Sequence, residues 1–186
     1  KVKQLRQQPE YVIGGAYEGL YLFRINDQRQ LELLHKIHGF NASSRFFEED
    51  QKGRIWVSQY YKGLYRLYLS ADMQEVQVKN ISENSGLPIQ EQVIIGAMSD
   101  DLYLATPSGV FLLDSSHDTI RRADLFSDQI AEQEIYLLAQ DQKNNVHLIT
   151  EELVALYQKI SADHSLFFPS SLYQLRYHLN NDLLNA

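Results

Sequence analysis

The chain has 186 residues, 44% hydrophobic and 22% charged, enough for one ordinary domain with a sizeable core. Its net charge of −7 and pI of about 5.3 argue against a nucleic-acid surface, which needs a basic stripe to displace counterions. There is no cysteine, which excludes disulfides and thiolate metal sites, and no run approaches the roughly 18 apolar residues of a membrane-spanning helix.

Residues 1–10 are polar and read as the end of a preceding connection. Strands are expected over 11–15 and 19–25, then a turn at Asn26-Asp27-Gln28 and an outer strand over 31–38. A second unit starts near Ser43, with an inner strand over 45–48 and a turn at Asp50-Gln-Lys-Gly53. Residues 53–67, GRIWVSQYYKGLYRL, then read as a β-hairpin. Ile55, Trp56 and Val57 form an apolar run rich in β-branched and aromatic residues, as in a strand buried on both faces. Gly63 falls where the chain re-enters the sheet, a point that often needs positive φ or close backbone approach. An outer strand is expected near 76–81, and Ser85-Gly86-Leu87-Pro88 breaks the chain.

The third unit holds strands over 92–97, 101–106, 109–114 and 119–124, and the fourth over 134–139, 145–149, 153–158 and 165–169. The tail ends in Leu183-Leu184-Asn185-Ala186, which resembles Ile94-Ile95-Gly96-Ala97 and reads as the first strand of a further unit over 181–186. Residues 128–140 and 151–160 are rich in the helix formers Glu, Gln, Ala and Leu. The repeat register assigns strands to most of both, with room for a helical turn at 128–132. The register takes precedence because strand propensity yields to packing context.

The hairpin recurs. Its glycine falls at Gly19, Gly63 and Gly109, with Leu153 in the fourth copy, in steps of 44, 46 and 44 residues. The turns Asp50-Gln-Lys and Asp141-Gln-Lys lie 91 residues apart, two periods. Two markers sharing one period of multi-stranded repeats are the signature of a β-propeller, one blade per repeat. The fold class expected is therefore all-β, a propeller segment of about four four-stranded antiparallel blades within a larger propeller. The units fall at about 11–42, 43–88, 89–132 and 133–180. Gly19, Gly63 and Gly109 carry the repeated turn, and Trp56 is expected between blades. Each blade exposes two apolar faces that only neighbours can cover, so further blades and self-association are expected. The chain reads as a piece of something larger.

No chemistry of catalysis is visible. On a strand His35 and His38 point to opposite faces and cannot share a metal. Glu48-Glu49-Asp50 reads as an acidic turn, since neighbours on one strand diverge where glycosidase carboxylates converge. No nucleophile elbow or phosphate loop exists. The expectation is a non-enzyme with no catalytic residue, metal or cofactor. A propeller ligand would sit at one end of the channel, among hairpin tips and loops entering the inner strands. Those places hold residues 41–45, 90–92, 107–108 and 133–134 together with the 60–62 tip, and the candidates are Arg45, Tyr60, Tyr61, Lys62, Gln90 and Gln92. Their rings and cations suit stacking on and hydrogen bonding to a sugar. Tyrosines at tips also pack on neighbouring blades, the commoner use of an aromatic ring.

Asp50-Gln-Lys-Gly-Arg-Ile-Trp-Val-Ser58 followed by Lys62-Gly-Leu-Tyr-Arg66 resembles the two-component regulator propeller repeat, Asp-x-x-Gly-x-Ile-Trp-Ile/Val-Gly-Thr-x-x-Gly-Leu. Gly86-Leu87-Pro88 matches the Gly-Leu-Pro that often precedes a blade in that family. With Phe167-Phe168-Pro169 the chain is similar to regulators that join a sensor propeller to a triple-tyrosine module and a LuxR-type helix-turn-helix. The match is strong over 46–67 and 86–113; units one and four depart, with Gly15 and Ala16 for threonine and Leu153 for glycine. The resemblance implies a ligand-sensing periplasmic domain of a membrane-anchored bacterial regulator of signal transduction and transcription. Hybrid histidine kinases of this kind detect glycan fragments, which makes a carbohydrate or other small molecule the implied partner. No kinase histidine box, receiver aspartate or helix-turn-helix is recognisable in these residues. A propeller scaffold for protein contact and a propeller lyase or glycosidase stand as alternatives, since fold alone does not choose.

Overall fold

The computed structural model describes residues 1–60, 62–82, 87, 92–98, 100–123, 135–140, 145–150, 153–159 and 173–180. Among them sixteen strands form four separate four-stranded sheets, and no helix occurs. The chain divides into two compact units, Lys1–Ile95 and Gly96–Ala186.

In the first unit, β1 (Val2–Gln4), β2 (Tyr11–Ala16), β3 (Gly19–Ile25) and β4 (Leu31–Ile37) make the first sheet in chain order. The second is β5 (Phe46–Glu49), β6 (Ile55–Gln59), β7 (Gly63–Leu69) and β8 (Val76–Asn80), also in order. All pairs are antiparallel. The polar residues expected to end a preceding connection instead supply β1, whose Val2, Lys3 and Gln4 pair with Gly14, Ile13 and Val12.

The two sheets bury one core between them. Ile13, Leu20, Leu22 and Ile37 of the first meet Phe47, Ile55, Val57 and Leu67 of the second, each at 1% exposure or less. Ile55 and Val57 face this core, so the alternation of a strand turns Trp56 to the other face of β6, where it too is fully buried. Its ring lies 5.7 Å from the Arg54 guanidinium and 5.6 Å from that of Arg66, its cross-strand partner. The indole Nε1 donates to Asp50 Oδ2 at 2.8 Å.

Close backbone approach joins the sheets at their inner end. Ser44 N donates to Ala16 O at 2.8 Å, and a Cβ on Gly15 would stand 1.9 Å from Ser44 O. The sheets are tied again at the outer edge, where His38 N donates to Gln74 O at 2.8 Å and His38 O accepts from Val76 N at 2.9 Å. The repeated glycine does what its period suggested. Gly19, Gly63 and Gly109 have φ of 132°, 90° and 127°, a region that side chains with a Cβ rarely enter.

The second unit repeats the plan. The sheet of β9 (Ile94–Met98), β10 (Asp101–Thr106), β11 (Gly109–Asp114) and β12 (Thr119–Arg122) begins at the boundary. The sheet of β13 (Ile135–Gln140), β14 (Asn145–Thr150), β15 (Leu153–Lys159) and β16 (Tyr173–Asn180) follows. A Cβ on Gly96 would stand 2.4 Å from Leu138 O, so this sheet pair also meets through backbone. The two stretches with helical composition are strands where described, at β13 and β15. The outer strand of the last sheet is Tyr173–Asn180 rather than 165–169, still inside the unit expected over 133–180. Residues 128–132, 165–169 and 181–186 lie outside the described residues.

Trp56→Ala should cost about 3–5 kcal/mol in urea denaturation, the usual large-to-small penalty. A loss under about 1 kcal/mol would put the ring outside the core. Gly15→Ala should cost about 1–3 kcal/mol, because the methyl must displace the Ser44 carbonyl and not a pliable side chain. An alanine variant as stable as the parent would mean the sheets are not in contact there.

Candidate ligand-binding cleft

In an antiparallel blade the hairpin tip between the second and third strands lies at the same end as the loop entering the first. The register shows this in the second sheet: Phe46, the first residue of β5, is opposite Ser58 near the end of β6, and Gln59 pairs with Gly63 across the tip. The loop after β4 therefore meets the β6–β7 tip, and the β2–β3 tip of the first sheet reaches the same place.

An open cleft of about 470 Å³ forms there, within the size range of small-molecule sites. The entering loop contributes Asn41, Ala42, Ser43 and Arg45, followed by Phe46. The end of β6 and its tip contribute Ser58, Gln59, Tyr60 and Lys62. Tyr17 comes from the β2–β3 tip and is 84% exposed. The Phe46 and Tyr60 rings stack at a centroid distance of 5.6 Å and 36° tilt, and the Arg45 guanidinium lies 5.1 Å from the Phe46 centroid on an aromatic face that attracts a cation.

Hydrogen bonds brace this set from behind. Gln92 Nε2 donates to the Tyr60 hydroxyl at 2.9 Å, with Gln92 only 8% exposed. Gln59 Nε2 donates to Ser43 O at 2.8 Å, linking strand end to loop. Ser58 Oγ accepts from Ile95 N at 3.1 Å.

Of the candidates named from sequence, the cleft brings together Arg45, Tyr60 and Lys62, with Gln92 as a support behind the ring. Tyr61 and Gln90 lie outside the described residues. Sequence reasoning did not single out Tyr17, Phe46, Ser58 and Gln59. A signal for Tyr17 was present: it stands two residues before its repeat glycine, as Tyr61 does before Gly63.

The acidic run is buried and partnered, and only its last residue belongs to a turn. Glu48 and Glu49 are in β5, where Glu48 pairs with Lys1 and Lys3 and Glu49 accepts from Arg6 N at 2.8 Å. Among the described residues no group of three or more His, Cys, Asp or Glu is arranged to hold a metal ion. His35 instead contacts Lys36 O and the Gln74 amide, each at 3.2 Å.

No protein-family profile and no curated protein matches the sequence. Among solved structures the chain resembles the Dos1 propeller, with a TM-score of 0.56 at 10% identity, over 97% of this chain and 46% of that one. It also resembles the extracellular domain of the putative one-component system BT4673 from B. thetaiotaomicron, with a TM-score of 0.50 at 15% identity over 88% and 23%. A structure of that domain under the description putative hybrid two component system gives 0.50 at 17% identity over 88% and 22%. The chain thus spans less than half of each. With the four sheets, these likenesses establish a β-propeller segment of four antiparallel blades.

Burial pushes the Glu49 carboxyl above the usual range, against the opposing pull of Arg6 N–H and the charges of Lys3 and Arg6. The raised folded value means that folding favours the neutral acid. Its contribution is complete below the ordinary glutamate value and is lost as pH rises through the folded one. Urea midpoints should therefore fall over the pH range just above the ordinary glutamate value, and Glu49→Gln should remove that fall. An identical pH profile in the variant would show that another group is responsible.

Proposed function

We propose that this chain is a non-catalytic, ligand-sensing propeller domain of a membrane-anchored bacterial signalling regulator, on the extracytoplasmic side, with glycan fragments as ligands. The observation that carries the reading is the cleft. Aromatic rings at Tyr17, Phe46 and Tyr60 offer faces on which a sugar can stack, and Asn41, Gln59 and Arg45 offer polar groups at its rim. The repeat motif around Trp56 and the fold shared with the extracellular domain of a putative hybrid two component system support the setting.

A second reading, a scaffold for protein contact, is favoured by a different surface. Leu31 and Leu33 of the outer strand β4 are 52% and 55% exposed. Thermal unfolding against a panel of oligosaccharides separates the two. A ligand at about a hundred times its Kd should stabilise the fold by about 2.7 kcal/mol and raise the Tm. Tyr60→Ala should remove most of that rise, read against the variant's own unliganded Tm, which loss of the Phe46 contact and of the Gln92 bond lowers. A panel without any shift favours the scaffold.

A further inference from the structure

We propose that the ligand of the cleft is an acidic oligosaccharide, one bearing carboxylate or sulfate groups, and that Arg45 and Lys62 are the residues that select it. The inference rests on the reading of the cleft as a glycan site and adds to it the charge of the guest.

The protein is acidic overall, with a net charge of −7, yet the cleft lining holds two cations and no carboxylate. Four other cations of the same unit are neutralised: Lys1 and Lys3 pair with Glu48, Arg24 with Glu32 at 2.9 Å, and Arg54 with Asp50 at 2.6 Å. Arg45 and Lys62 form no such pair among the described residues, although both are exposed. The Arg45 guanidinium lies over the Phe46 ring, 5.1 Å from its centroid, and a guanidinium is the group suited to grip a carboxylate or sulfate at two oxygens. The Phe46–Tyr60 stack lies beside it, so an anionic sugar ring can meet an aromatic face and a cation together. A neutral sugar would leave both cations without counter-charge; an acidic one supplies it at the point where the protein supplies none.

Isothermal titration calorimetry of the whole chain decides the matter with three probes of equal length: a tetramer of galactose, a tetramer of galacturonic acid and a sulfated tetramer of galactose. At least one acidic tetramer should bind about tenfold or more tighter than the neutral one, by an advantage that shrinks as salt is raised. The two acidic arms tell which anion is recognised. Arg45→Gln and Lys62→Gln should each weaken the acidic tetramer about tenfold and leave the neutral one unchanged. Tyr60→Ala should weaken all three. Both cations are exposed, so unchanged Tm values should accompany the substitutions. Equal binding of neutral and acidic tetramers, untouched by the two glutamine variants, overturns the inference and leaves the glycan reading standing. Acidic binding that survives both glutamine variants, or that is indifferent to Tyr60→Ala, overturns it as well. Binding by none of the three overturns the glycan reading and the inference with it.

Discussion

The carboxylate of Asp50 is the group on which the second sheet depends. It is 3% exposed and takes four donors: Lys52 N and Arg54 N on Oδ1, Arg54 Nε and Trp56 Nε1 on Oδ2. An unpartnered charge at that depth would be too costly to keep; here the turn and the indole together replace its hydration. By fixing the turn between β5 and β6 it fixes the pairing of Glu49 with Ile55. A slip of one residue would exchange Trp56 with its neighbours across the faces of the sheet. The same register sets Phe46 opposite Ser58 at the far end of the strands, so the turn that seats the tryptophan also aligns the floor of the cleft.

This arrangement polarises β5 along its length. Arg45 and Phe46 stand at the cleft end, and Glu48, Glu49 and Asp50 follow within a few residues, about 3.3 Å apart each. The acidic end is buried and compensated by Lys1, just before β1, and by Lys3 within it, while the cationic end faces solvent. Charges compensated inside the fold and charges exposed at its surface are thus kept at opposite ends of one short strand.

The parts of the fold that were legible in the sequence are those with a steric or apolar signature. The repeated glycine was readable because only a residue without Cβ sits easily at a φ near 90–130°. The Ile55–Val57 run was readable because a strand covered on both faces needs no polar alternation. Strand β1 was not legible, because it is polar and is held by pairing with β2 and by lysines reaching Glu48. The outer strand of the fourth sheet was misplaced because Leu166, Phe167 and Phe168 offered a more apolar run than Tyr173–Asn180, although the latter alternates as an outer strand does. In the cleft, the entering loop and the β6–β7 tip followed from topology alone, while Tyr17 at the β2–β3 tip was passed over. Phe46 and Gln59 did not follow, since they lie within strands, and only the register reveals that a strand's first or last side chain opens into a site.

The His38 bridge between the outer strands has a bearing on how the cleft could take up a guest. The walls of the cleft belong to two sheets fastened to each other at Ala16 and Ser44 and again between the outer strands, at His38 with Gln74 and Val76. A jaw pinned at both ends cannot swing. A guest would therefore enter a mould already set, losing little freedom on the protein's side, and its arrival would be registered by occupancy and by small adjustments of side chains instead of by closure of the blades.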